Sequence, residues 1–188
     1  LLPMVQGMRV EGDLSSEILL ARALACFVET NHDAFGRLEQ AAARDFENLP
    51  LGLHWAPTLV AAAEAAFMVG NARVGEVVLS HLRAFPDQVA FNGSWAIAPL
   101  AFGAGMAAAA AGQDAATDEM FEHALAVSDR LRAPLLRART EIAWSRVLLA
   151  RDAYPELALT LARDARDRLV GLRVKPILGS ADALLREA

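Results

Sequence analysis

A chain of 188 residues is long enough for one ordinary domain or for about four to five helical hairpins. With 55% hydrophobic and 22% charged residues it is too apolar for disorder, and its net charge of −5 argues against the cationic face that displaces phosphate counterions from nucleic acid. Alanine supplies about a fifth of the chain, and β-branched residues never alternate with polar ones over a strand length, which excludes all-β and α/β folds.

Breakers set the expected helix boundaries. A first helix is expected over 14–30, capped by Asp13 or Ser15 with Glu17 placed for a capping box. Asn31-His32 turns into a second helix over 33–47, and 48–52 is a loop. The third helix, 55–69, carries Pro57 in its first turn, where a missing N–H is harmless; Gly70-Asn71 ends it, and a fourth covers 72–84. The longest loop is 85–94. Further helices are expected over 95–111, 114–131, 134–150 and 155–169, with a tail helix over 177–187 behind Pro176. The uncharged stretch between Asp87 and Asp114 has the length of a membrane span, but alanine and glycine dominate it and Pro99 interrupts it. It reads as the buried central helix of a soluble stack.

Alternate helices repeat a pattern. Ala34/Leu38/Ala41, Gly75/Leu79/Leu82, Thr117/Phe121/Ala124 and Ala158/Ala162/Ala165 place small and apolar residues at the same spacing, each set about 41 residues after the last. Trp55 and Trp95 each open a helix followed by a proline, Pro57 and Pro99, and Gly70 and Gly112 close those helices. A small residue there lets the two helices of a hairpin touch, and the apolar one a turn later fills the seam with the next hairpin. The expectation is a single all-α domain of hairpins 14–47, 55–84, 95–131 and 134–169 plus the terminal helix, stacked as an α–α superhelix. Any real sheet would contradict it.

These landmarks resemble the tetratricopeptide repeat, best at Gly105, Gly112, Thr117, Phe121 and Ala124, with a longer period and with alanine at most of the tryptophan, leucine and tyrosine positions of the first helix. The run 107–127, then Arg130-Leu131-Arg132-Ala133-Pro134 and 138–151, is similar to the carboxy-terminal region of actinobacterial LuxR-type regulators with an ATPase module, and of related cyclases. The resemblance covers about 55–188. It implies a segment of a longer cytoplasmic signalling protein, which fits the opening at Leu1 within what reads as a helix end. It also implies, as partner, the protein's own ATPase module or another protein.

Chemistry-bearing residues are sparse. His32, His54, His81 and His123 have no ligand-like neighbours at helical spacing, so no metal or other cofactor is expected, and Asp33 reads as a cap. Gly103 and Gly105 follow no strand and read as close helix contacts; Ser94 lacks the flanks of a nucleophile elbow. Cys26, the sole cysteine, sits on an apolar face and cannot form an internal disulfide. Arg163, Arg166, Arg168 and Arg173, interleaved with Asp164 and Asp167, read as a solvated face, while Arg137, Arg139, Glu141 and Arg146 fit surface pairs or bridges between repeats. In the tetratricopeptide register, Val60, Glu64, Phe67, Met68, Phe102 and Met106 line the concave face, an apolar groove fitted to a partner helix or an apolar small-molecule effector; the same side chains are core if tight curvature closes the groove. The leading expectation is a non-catalytic sensor or interaction segment without membrane or direct nucleic-acid contact. The alternatives are a scaffold that assembles or dimerises through the Phe67–Met106 surface and, less favoured, an all-helical enzyme uniting His54 or His81 with Glu64.

Overall fold

The computed structural model describes residues 32–47, 49 and 51–187. The helix expected over 14–30, with Cys26, lies outside the described residues. Within them the chain is mostly helical, in the order α1 (His32–Ala43), α2 (Trp55–Val69), α3 (Ala72–Leu82), β1 (Val89–Phe91), β2 (Ala96–Pro99), α4 (Leu100–Ala110), α5 (Asp114–Arg130), α6 (Pro134–Ala150), α7 (Pro155–Leu172) and α8 (Lys175–Glu187). Two compact units divide it, Leu1–Thr117 and Asp118–Ala188, with the boundary inside α5.

Six helices end in the same way. Asp45, Gly70, Gly112, Arg132, Asp152 and Arg173 take positive φ between 50° and 70°. The residue after each donates its N–H to the carbonyl five positions back, at 2.9–3.1 Å, from Phe46 to Ala41 through Val174 to Leu169. This closure satisfies carbonyls that a helix end leaves unpaired. Two of the six are glycine; the others carry a left-handed penalty of about 1 kcal/mol or more, which the packing of the flanking helices must offset. From Gly112 onward the turn recurs about every 20 residues, so alternate turns return about every 41, the offset of the small-residue pattern. The helix α3 is the exception, ending at Arg83 in right-handed geometry.

The start of α3 is capped by Asn71, whose Oδ1 accepts from the Val74 N–H at 3.0 Å while its Nδ2 donates to Glu39 at 2.5 Å. Replacing Asn71 by alanine is expected to lower unfolding stability by about 1 kcal/mol, read as a fall in urea midpoint with unchanged slope.

The expected helix over 95–111 is wrong at its start. Residues 89–99 instead form a two-stranded antiparallel sheet, contrary to the expected superhelix without any sheet, pairing Val89 with Pro99, Ala90 with Ala98 and Phe91 with Ala96, with an irregularity after Ala90. Three features favour it. Asn92-Gly93 is a hairpin turn signal, with Gly93 at φ 93°. The Asn92 Oδ1 accepts from the N–H groups of Ser94 and Trp95 at 3.0 and 3.1 Å, holding the turn closed. Pro99 disfavours helical geometry at Ala98, so α4 begins only at Leu100. Trp95 therefore lies in the turn and does not open a helix as Trp55 does, and that landmark drops out of the repeat comparison.

In the first unit α2, α3 and α4 pack pairwise. Every residue of α4 from Leu100 to Ala108 is buried, as suits a helix apolar all round. At 11 residues it is far too short for a bilayer, and among the described residues no helix is long and apolar enough to cross a membrane. Gly103 admits the close approach of α2 and α3: a Cβ there would lie 2.9 Å from Val60 Cγ2 and 2.8 Å from Leu82 Cδ1. Gly75 does the same between α3 and α4. In the second unit α6, α7 and α8 close on a core of Ala138, Ile142, Ala162, Ala165, Leu169 and Leu184. Of the small and apolar positions repeated in the sequence, those from Gly75 to Ala165 are all buried, as is Ala41.

Candidate functional site

The six residues expected on a concave face do not line one surface. Val60, Phe102 and Met106 are buried core. The reason is local: α2 meets α4 where Gly103 lets Val60 in, so side chains assigned to a groove wall fill the contact between the helices. Glu64 and Phe67 are half-buried, and Met68 is exposed at the end of α2.

An open cleft lies instead between α1 and α3. It encloses about 450 Å³ and is lined by Glu39, Gln40, Asn71 and Arg73 over a floor that includes Ala42 and Val74. The Glu39–Asn71 hydrogen bond ties one wall to the other. With a carboxylate, an amide and a guanidinium on its rim, the cleft can hold a polar group by hydrogen bonding, whereas the expected groove was apolar.

Near the other end of α3, His81 Nε2 lies 3.0 Å from Asp45 Oδ1. Phe46 and Trp55 stand edge-on to its ring at centroid distances of 6.1 and 6.3 Å, and Phe85 stands edge-on to Trp55 at 6.2 Å. The left-handed turn at Asp45 brings that carboxylate to a histidine 36 residues on, a proximity that spacing along the chain does not reveal. Among the described residues no group of three or more His, Cys, Asp or Glu is placed to hold a metal.

The second unit holds two charge networks, one around a buried carboxylate and one partly buried. Glu141, on α6, is wholly buried. Arg137 Nε donates to its Oε1 at 2.8 Å from one turn earlier, and Arg168 of α7 reaches it through Nη2 at 3.1 Å and Nε at 3.3 Å. Arg137 also pairs with Asp129. Arg168 is thus an inter-helix bridge rather than part of a solvated face; Arg166, exposed, pairs with Asp182 of α8 at 3.0 Å. Burial pulls the Arg137 guanidinium down, but the hydrogen bond to Asp129 and the charges of Glu141 and Asp129 outweigh it and hold Arg137 above the usual arginine range. A raised pKa of this sign stabilises the fold fully below the unfolded value and is lost only as pH climbs through the folded one, so the pairing is constant across neutral pH. The second network centres on Asp118, whose Oδ1 accepts from Trp144 Nε1 at 2.9 Å while Arg151 Nη2 donates to both carboxylate oxygens at 2.6 and 2.7 Å. Trp144 stacks on Phe121 with centroids 6.0 Å apart. Both networks fix helix positions.

Comparison of the chain with protein-family models, curated proteins and solved structures gives no match.

Proposed function

We propose that the chain is a non-catalytic interaction or sensor segment of a bacterial signalling regulator, built as a tetratricopeptide-like stack of helical hairpins and working in the cytoplasm. The observation that carries this reading is the recurring left-handed helix end, about every 20 residues from Gly112 to Arg173, a spacing that suits hairpins of like length. The burial of the repeated small residues supports it, since stacking of like units requires close seams at like positions. In this reading the segment binds an effector, a partner protein or its own ATPase module more tightly in one state of the parent protein than in another, and so shifts that equilibrium. The open cleft of Glu39, Gln40, Asn71 and Arg73 is the first place to look for a polar effector group.

The test is a thermal-shift screen of the purified chain against candidate effectors, with a binding measurement on any ATPase module found in the same reading frame. A rise in Tm that Arg73→Ala or Gln40→Ala abolishes supports the cleft as the sensing site. No shift with any effector, together with no binding to the module, sinks the reading.

A further inference from the structure

The hairpin 89–99 is apolar on both faces. Ala90 and Ala98 point inward and are buried; Phe91 and Ala96, paired across the strands, are both exposed. Strands apolar on both faces belong in sheets covered on both sides, and among the described residues this one is covered on one. The outward face is continued by its neighbours. Leu53 reaches the turn, where a Cβ on Gly93 would lie 3.0 Å from its Cδ2, and Phe85 meets Trp55 beside it. Within 51–55 and 84–99, Leu51 (87% exposed), Trp95 (64%), Leu53 (52%), Phe91 (47%) and Phe85 (44%) leave roughly 600 Å² of apolar side chain in water if counted as one face, at about 200 Å² for a fully exposed large side chain. That is the upper end of the largest patch on an ordinary monomer.

We propose that this face is a self-association surface through which two copies of the chain pair about a two-fold axis. Two such faces would together bury about 1,200 Å², the lower end of what a specific, stable interface needs. The charge pattern fits a copy better than other partners. Over 51–55 and 84–99 the sequence holds one formal charge, Asp87, so the patch meets its own image without like-charge repulsion, as a two-fold interface requires. A face that enters a lipid headgroup layer or grips nucleic acid interleaves its aromatics with lysine and arginine, and this one does not. Trp95 and Phe91, at the turn and on the exposed face, are the expected anchors. The inference goes beyond the sensor reading and is independent of it.

Sedimentation equilibrium of the 188-residue chain without effector is expected to show a reversible monomer–dimer transition in the micromolar range. Trp95→Glu and Phe91→Glu should each weaken it about tenfold or more, while helix content, and Tm at concentrations where the parent is monomeric, stay at the parent values, because both side chains are exposed. A monomer throughout that range overturns the proposal. So does a dimer that survives both substitutions, or one lost on Met68→Glu instead. Association with phosphatidylcholine–phosphatidylserine vesicles in place of dimerisation overturns it as well.

Discussion

Gly75→Val is expected to destabilise the protein by about 3 kcal/mol or more. A Cβ at Gly75 would stand 2.7 Å from the Ala107 carbonyl oxygen, 2.9 Å from Ala110 Cβ and 3.1 Å from the Ala111 nitrogen. Two of these are backbone atoms and the third is fixed to backbone, so none can rotate aside. The helices α3 and α4 must separate, and Leu82 of α3, buried beside Gly103, loses contact with α4. Gly75→Ala should already cost about 1–2 kcal/mol, against the roughly 0.5–1 kcal/mol that alanine gains over glycine inside a helix. Gly179→Ala in α8 is the control: nothing lies within 4 Å of its added Cβ, so only the helix gain applies. Urea denaturation of the three variants decides it. A gain for Gly75→Ala equal to that of Gly179→Ala would show that α3 and α4 do not touch at this point.

The paired substitution Arg137→Ala with Arg168→Ala is expected to cost about 3–5 kcal/mol, because it strands the Glu141 carboxylate without a cation. Each single substitution should cost distinctly less than half of that, since the remaining arginine still compensates the charge. Non-additivity of this kind is the signature of a shared buried partner. Glu141→Leu provides the complementary measurement. It removes the buried charge and leaves two arginines that are partly exposed and can turn to water, so its cost should fall below that of the double variant. A double variant no worse than the sum of the singles would mean that Glu141 finds compensation elsewhere.

Much of the helical framework was legible because its ends are written in local chemistry. The bounds of α2 and α6 match the expectation residue for residue: proline stands in the first turn of each, and Gly70 closes α2 in the left-handed conformation that glycine adopts at least cost. Local chemistry also held the signal that was misread. Asn92-Gly93 between short apolar runs is a hairpin signature, but the recurrence of a tryptophan ahead of a proline drew the segment into a helix. The end of α1 was placed too late, at 47 rather than Ala43, because Phe46 continues the apolar pattern; the chain buries Phe46 through a turn at Asp45 and not through another helical turn.

The candidate site was less legible, for a geometric reason. Assigning Val60, Phe102 and Met106 to a groove requires knowing which face of a helix its neighbour covers, and on α4, apolar all the way round, periodicity does not distinguish one face from another. The Glu141 clamp hides for a related reason. Its nearest cation, Arg137, is one turn away and was anticipated as a pair or bridge, but Arg168 lies 27 residues on and reaches it only because α6 and α7 are antiparallel neighbours in contact.

Among the described residues, roughly half of the buried apolar side chains are alanine. A methyl group has no rotamers to freeze, so ordering this interior takes little side-chain entropy, and it withdraws little hydrocarbon from water per residue. The heat capacity released on unfolding should therefore fall below the usual figure of about 12–15 cal/mol/K per residue. The stability curve is correspondingly broad and shallow, and a calorimeter would find this protein less sensitive to cooling than one whose centre is built of leucine and phenylalanine.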